Sequence, residues 1–197
     1  MEHKLATYVC NQLLELDVIN SEYFDVYVYG IELLLSFLTS TIIILSIGIL
    51  LGQVVNTIIF LLVFIIVRRF TGGYHANTYL LCKICTVGTY LIVMSMSLFH
   101  PIYSTLCYII LVISGLPVII IWGPVDNPNK PLEANEKKKH KAISILLYIS
   151  TLIIGLILLK VSLTLSNVVC YTLAAIIILM IISILTKGDT NHEENHC

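Results

Sequence analysis

The sequence predicts an all-α, polytopic membrane protein: about six membrane-spanning helices, preceded by an N-terminal amphipathic helix at the interface. Three observations predict it. The 197-residue chain is 58% hydrophobic and only 12% charged, where a soluble domain has about 25% charged residues. Its apolar residues gather into uncharged runs close to the roughly 20 residues that a spanning helix needs. Lysine and arginine fall between those runs with a strong bias to one side. A chain this short cannot hide so much apolar surface in a single globular core, so the lipid bilayer is the solvent for the rest. The net charge of −1 points to no polyanionic partner, and no nucleic acid is expected.

The first 30 residues carry Glu2, Glu15, Asp17, Glu22 and Asp25. These acids break the apolar region that a cleavable signal peptide requires. Leu5, Val9, Leu13 and Leu16 recur at helical spacing, with Asn11, Glu15 and Asp17 on other faces. That pattern predicts an amphipathic helix on the inner membrane surface, or one packed on the protein's own body; the two are compatible. Tyr23, Tyr27 and Tyr29 then mark the headgroup belt.

Six runs follow, at 33–51, 54–67, 79–99, 102–122, 142–159 and 161–186, and Lys83 is the one charge within them. The second run is the short one. Its 14 residues reach about 21 Å as a helix, against a hydrocarbon core of about 30 Å. It spans if the helix continues through Arg68 and Arg69, whose long stems snorkel to the interface. The alternative is a re-entrant hairpin. A single membrane domain, 1–197, is therefore expected. It comprises an amphipathic segment 1–30, four spans within 31–122 that include the loop 68–82, a basic loop 123–141, two spans within 142–186, and a tail 187–197.

With a cytoplasmic N-terminus, the inner side holds Lys4, Arg68, Arg69, Lys130, Lys137, Lys138, Lys139, Lys141 and Lys187, and the outer side only Lys160. The positive-inside rule selects that orientation, with both termini and the loop 68–82 in the cytoplasm. No internal repeat supports an inverted-repeat transporter. A channel or transporter is further disfavoured because, Lys83 apart, the runs carry no ionisable residue to line a pathway.

The chemistry is concentrated between Arg68 and Cys85. Gly72 and Gly73 break the helix that ends in the arginines. Asn77 or Thr78 then suits the N-cap of the next helix, leaving His75 in the loop and Cys82 about one turn into the helix. A helix N-terminus and a neighbouring cation favour the thiolate, which is the nucleophilic form of cysteine. His75 can take the thiol proton and return it to a leaving amine. In one continuous helix, residues 75 and 82 would stand about 10.5 Å apart along the axis. The pairing therefore requires the helix to begin after His75. Taken singly, each feature has a plainer reading: an interfacial histidine is commonly an anchor, and paired arginines commonly set topology. Cys107 and Cys170 read as small buried hydrophobes. Cys82 and Cys85 form a Cys-x-x-Cys, but a metal site needs two further ligands and the loop offers only His75. No metal and no cofactor are expected.

Taken together, the Arg68-Arg69 pair ending an apolar helix, Gly73-x-His75, and Cys82 seven residues after the histidine resemble the accessory gene regulator B (AgrB) family. The turn-rich 124–131 followed by Lys137-Lys138-Lys139 resembles that family's central cytoplasmic loop. The resemblance covers nearly the whole chain. It implies a bacterial plasma-membrane cysteine endopeptidase of a quorum-sensing system, with Cys82 as nucleophile and His75 as base. The substrate it implies is a small peptide precursor with an amphipathic N-terminus and an acidic C-terminal tail. Cys82 would cleave off the tail and hold the rest as a thioester. A Cys or Ser side chain of the precursor would then close a thiolactone or lactone ring. Arg68, Arg69, Gly73 and Lys130 are the implied substrate-binding residues, and the family favours a homodimer. The resemblance leaves a third catalytic residue unmatched; Asp126 qualifies only by its side of the membrane. The Lys137–Lys141 cluster is explained most simply by topology, and attraction of the acidic tail is its second reading.

The rival reading is a membrane thiol-disulfide oxidoreductase using Cys82 and Cys85, although such a pair would face the reducing cytoplasm. Cys85→Ser separates the two. A peptidase keeps precursor cleavage, followed by mass spectrometry of the peptide, whereas a redox enzyme loses its activity.

Overall fold

The computed structural model describes residues 2–72, 79–99, 105–124 and 134–193, and among these the regular structure is entirely helical. The helices are α1 (Glu2–Glu15), α2 (Phe24–Leu50), α3 (Val54–Thr71), α4 (Tyr79–Phe99), α5 (Leu106–Trp122), α6 (Ala134–Leu158) and α7 (Leu163–Glu193), with a short 3₁₀ turn at Ser21–Tyr23. Five of them are long and apolar enough to cross a membrane, and α5 is the shorter sixth. Large apolar side chains face outward along them, among them Leu50 at 84%, Phe99 at 76% and Ile113 at 69% exposure. Surface of that kind is compatible with lipid around it and not with water.

Each expected run corresponds to a helix. The short second run continues through both arginines as α3, whose 18 residues reach about 27 Å, and no re-entrant break occurs in it. Gly72 ends α3 at φ 71, a left-handed conformation that suits glycine, and its N–H donates to the Arg68 carbonyl at 3.1 Å. α2 starts nine residues ahead of the uncharged run. Glu32, which marked the expected edge of that run, is buried inside the helix, and His3 Nδ1 lies 2.6 Å from its Oε1.

α1 packs on α2 with its small residues. Ala6 and Cys10 are fully buried against a cluster that includes Ile19 and Val28. Leu5, Tyr8 and Leu16 point away and are exposed. Of the three leucines and one valine expected on one face, only Leu13 joins the packed cluster. The helix thus has two apolar sides, one against the protein and one free to meet a membrane surface.

α7 is the centre of the bundle and packs against α3, α4, α5 and α6. In lipid, helices gain nothing by hiding oil from oil, so association depends on close approach and on hydrogen bonds between helices. Both are present. The Tyr108 hydroxyl of α5 donates to the Ser166 carbonyl at 2.8 Å and lies 2.7 Å from the Ser166 hydroxyl. That hydroxyl donates to the Gly155 carbonyl of α6 at 2.9 Å. The Tyr148 hydroxyl of α6 donates to the Leu111 carbonyl of α5 at 3.0 Å. Thr57 of α3 and Tyr90 of α4 bond at 2.8 Å. Glycine makes the room: a Cβ on Gly155 would stand 2.5 Å from the Tyr108 hydroxyl, and one on Gly115 would overlap the Tyr148 hydroxyl. The paired residues also give helix directions. Tyr108 meets Gly155 and Leu111 meets Tyr148, so α5 and α6 run antiparallel.

Gly155→Ala is expected to destabilise the protein by about 1–3 kcal/mol through overpacking. Gly30→Ala, whose new Cβ would meet nothing within 4 Å, is expected to be neutral or to stabilise by up to about 1 kcal/mol through helix propensity. Thermal unfolding in detergent checks both, and equal shifts would contradict the packing described.

Candidate active site

The site is built on the last turn of α3. Val67 and Thr71 are buried there at 1% and 0% exposure, and the Thr71 hydroxyl donates back to the Val67 carbonyl at 3.1 Å. This buried stripe fixes the rotation of the helix end. Arg68, one residue round from the stripe, is half-buried, and its guanidinium carbon lies 5.0 Å from the centre of the Phe64 ring one turn back. A cation over an aromatic face at that distance is favourable, more so away from water. Arg69 falls on the exposed side, 5.9 Å from the Phe70 ring centre. The Phe70 ring in turn meets the His140 ring of α6, with centres 5.5 Å apart and planes at 58°.

The first two turns of α4 carry the thiols. Cys82 and Cys85 are both half-buried and both unbridged. The thiols of both lie within electrostatic reach of the Arg68 guanidinium. One turn further, Thr86 and Thr89 donate to the Cys82 and Cys85 carbonyls at 2.9 and 2.7 Å. Those hydroxyls therefore spend their protons on their own helix. Lys83 is half-buried between the two cysteines.

α3 and α4 run antiparallel, since Thr57 meets Tyr90 while Arg68 approaches Cys82. The Phe70–His140 contact brings the start of α6 to the same end, with Lys137, Lys138 and Lys139 exposed and Lys141 half-buried. One end of the bundle thus gathers a nucleophile candidate, a half-buried cation and a basic surface. A lysine run in the first two turns of a helix opposes the helix dipole, so helix stability does not account for it.

Of the residues expected from sequence, Arg68 and Cys82 lie within electrostatic reach of each other, and Arg69 falls on the exposed side of α3. Gly73, His75, Asn77, Thr78, Asp126 and Lys130 lie outside the described residues, and so does the capping expected of Asn77 or Thr78. Phe64, Phe70 and His140 escaped the sequence reading. Phe64 stands four residues before Arg68, a helical spacing that signals such a contact. His140 carries no comparable signal, because its approach to Phe70 depends on tertiary packing. Among the described residues, no three His, Cys, Asp or Glu side chains gather as metal ligands.

Known proteins place the chain. The family model described as accessory gene regulator B matches residues 2–187. An AgrB-like protein of Clostridium beijerinckii is 30% identical over 172 residues, 85% of this chain and 81% of its own. Accessory gene regulator protein B of Staphylococcus haemolyticus is 24% identical over 126 residues, 64% of this chain and 66% of its own. Protein FsrB of Enterococcus faecalis is 29% identical over 125 residues, 61% of this chain and 52% of its own. The matched segment thus spans two thirds or less of these last two relatives. No solved structure matches the chain. A family model that covers nearly the whole sequence, over a fold of apolar helices, shows that the chain belongs to the accessory gene regulator B family.

Proposed function

We propose that this protein is a membrane-embedded cysteine endopeptidase that processes the peptide precursor of a quorum-sensing system. One observation carries the reading. Cys82, half-buried near the start of α4, lies within electrostatic reach of the Arg68 guanidinium, which is held in place over Phe64. A fixed positive charge there has the sign that a sulfur nucleophile and a developing oxyanion both need. Membership of the family supports the same assignment.

In this reaction His75 takes the proton of Cys82, and the sulfur attacks the precursor's peptide carbonyl that immediately precedes the acidic tail. The tetrahedral intermediate collapses as His75 returns the proton to the leaving amine, and the acidic tail departs. The remaining peptide is bound to Cys82 as a thioester. A Cys or Ser side chain of the precursor then attacks the thioester carbonyl. The ring closes as a thiolactone or lactone, and the Cys82 thiol is restored. Exchange of one thioester for another is nearly isoenergetic, and a tethered thiol has a high effective molarity. Closure wins over hydrolysis as long as water is held away from the thioester, which the half-buried setting of Cys82 favours.

The basic end has a use in this scheme. Arg69 and the exposed lysines at 137–139 offer the acidic tail a counter-charge on the leaving-group side, and Lys130, a few residues before α6 in the sequence, adds to it. Screening within about 8 Å at physiological ionic strength limits this to close approach. The protein acts as one membrane unit and as a homodimer, with its termini and the loop 68–82 in the cytoplasm. The lysine and arginine bias supports that orientation.

Co-expression with the precursor, followed by mass spectrometry of the peptide, tests the mechanism. Cys82→Ala and His75→Ala are each expected to abolish cleavage. Processing that survives Cys82→Ala would sink the proposal, and loss in both Cys82→Ala and Cys85→Ala would point to the Cys-x-x-Cys pair instead. Arg68→Ala is expected to slow cleavage by about 100-fold, the scale of losing one charge-stabilising group. Arg69→Ala, on the exposed face, is expected to slow it by about tenfold or less when the same peptide products are quantified.

A further inference from the structure

We propose that Cys107 and Cys170 are a redox-active pair that forms a reversible disulfide between α5 and α7, at the end of the bundle away from Cys82. Their Sγ atoms are 2.7 Å apart. That is well inside the ~3.5–4.0 Å at which carbon atoms rest against each other, and a small shift from the bond length of about 2.05 Å. The two thiols come from helices 63 residues apart in sequence, so the approach is made by packing and not by local chain geometry.

The packing around the pair fixes its register. α5 and α7 run parallel: Tyr108, next to Cys107, bonds to Ser166, and Gly115 faces Ile177 further along. With α5 pinned next to Cys107 and α7 pinned on either side of Cys170, closing the bond requires little rearrangement, and the effective concentration of one thiol at the other is high. The pair also stands apart from the candidate active site. Tyr108, next to Cys107, meets Gly155 of α6. His140, which meets Phe70, lies fifteen residues earlier on the same helix, about 22 Å at 1.5 Å per residue. Under the orientation proposed above, this end faces the outside of the cell, where disulfides persist.

The chemistry is a two-electron oxidation. Cys107, the more exposed member, loses its proton and its sulfur attacks a nitrogen of a two-electron acceptor of the diazene class, forming an S–N bond. Cys170 then attacks the Cys107 sulfur, breaks that S–N bond and loses its own proton. One S–S bond forms, and two electrons and two protons leave with the acceptor as a hydrazine. A dithiol reverses the step by thiol–disulfide exchange. Both thiols lie within apolar helices, so a small membrane-permeant acceptor is the competent oxidant.

The test uses full-length protein in lipid nanodiscs, treated with the diazene diamide, alkylated with a maleimide and mapped by peptide mass spectrometry. The expected result is a cross-linked peptide joining Cys107 to Cys170, with loss of maleimide labelling at both positions and its return after dithiothreitol. In a variant with Cys10, Cys82, Cys85 and Cys197 changed to Ala, the intact mass is expected to fall by two hydrogen atoms on oxidation. Thiols at 107 and 170 that stay open to alkylation, diamide adducts there without a cross-link, or a cross-link between Cys82 and Cys85 in place of one between Cys107 and Cys170 in the wild type would each overturn the proposal. Mapping in the wild type decides the matter even where the four-fold variant fails to fold. It does not depend on peptidase activity, so it stands or falls separately from the proposed reaction.

Discussion

The bundle depends on polar bonds made between helices where no water can substitute for them. Tyr108, Ser166 and the Gly155 carbonyl join α5, α7 and α6 at one level, and Tyr148 joins α6 to α5 one to two turns away. An aliphatic surface has no reason to prefer another helix over lipid. These hydroxyls do, because each would otherwise sit unpaired in hydrocarbon. Glycine at 115 and 155 is the other half of the same constraint, since the tyrosine rings occupy the space a side chain would fill. Placing α7 at the centre follows: it carries Ser166 and offers a face to four other helices.

The position of the candidate active site is set by that frame. α3 packs on α2, α6 and α7, and its buried Val67 and Thr71 leave Arg68 one residue round, within electrostatic reach of the α4 thiols. A guanidinium at a membrane boundary tends to reach for water. The Phe64 face offers it a partner that keeps it within the protein instead. The thiols of α4 therefore meet a charge held by aromatic contact as well as by backbone. The Phe70–His140 contact extends the same aromatic theme to α6 and draws the lysine-rich turns to this end.

Much of the fold was legible because hydrocarbon imposes a simple rule, and each uncharged run became a helix. Where edges differ, the rule reads hydrophobicity and the chain follows hydrogen bonding. α6 begins at Ala134, eight residues before its apolar run, in turns carrying exposed lysines. α7 continues past Thr186 to Glu193. α2 begins at Phe24 because Glu32 finds His3 and need not end the helix. On α1 the leucine spacing marked the outward side, while the packed side is made by Ala6 and Cys10, whose small size gives a periodicity search little weight. At the site, Arg68 and Cys82 were legible from local motif spacing. The neighbours that depend on register between distant helices were not: His140 against Phe70, and Cys107 against Cys170. His75 was singled out from sequence and lies outside the described residues.

The contact between His3 and Glu32 has a consequence for how the N-terminus can be handled. Glu32 is 7% exposed and lies in a helix apolar enough to cross the bilayer. If α1 were deleted or levered away by a bulky tag, this carboxyl group would lose its partner and face lipid, an expensive exchange even when the group neutralises itself by taking up a proton. The first 15 residues are therefore fastened to the bundle twice, by the packing of Ala6 and Cys10 and by the tie from His3. An expression tag belongs at the other end of the chain.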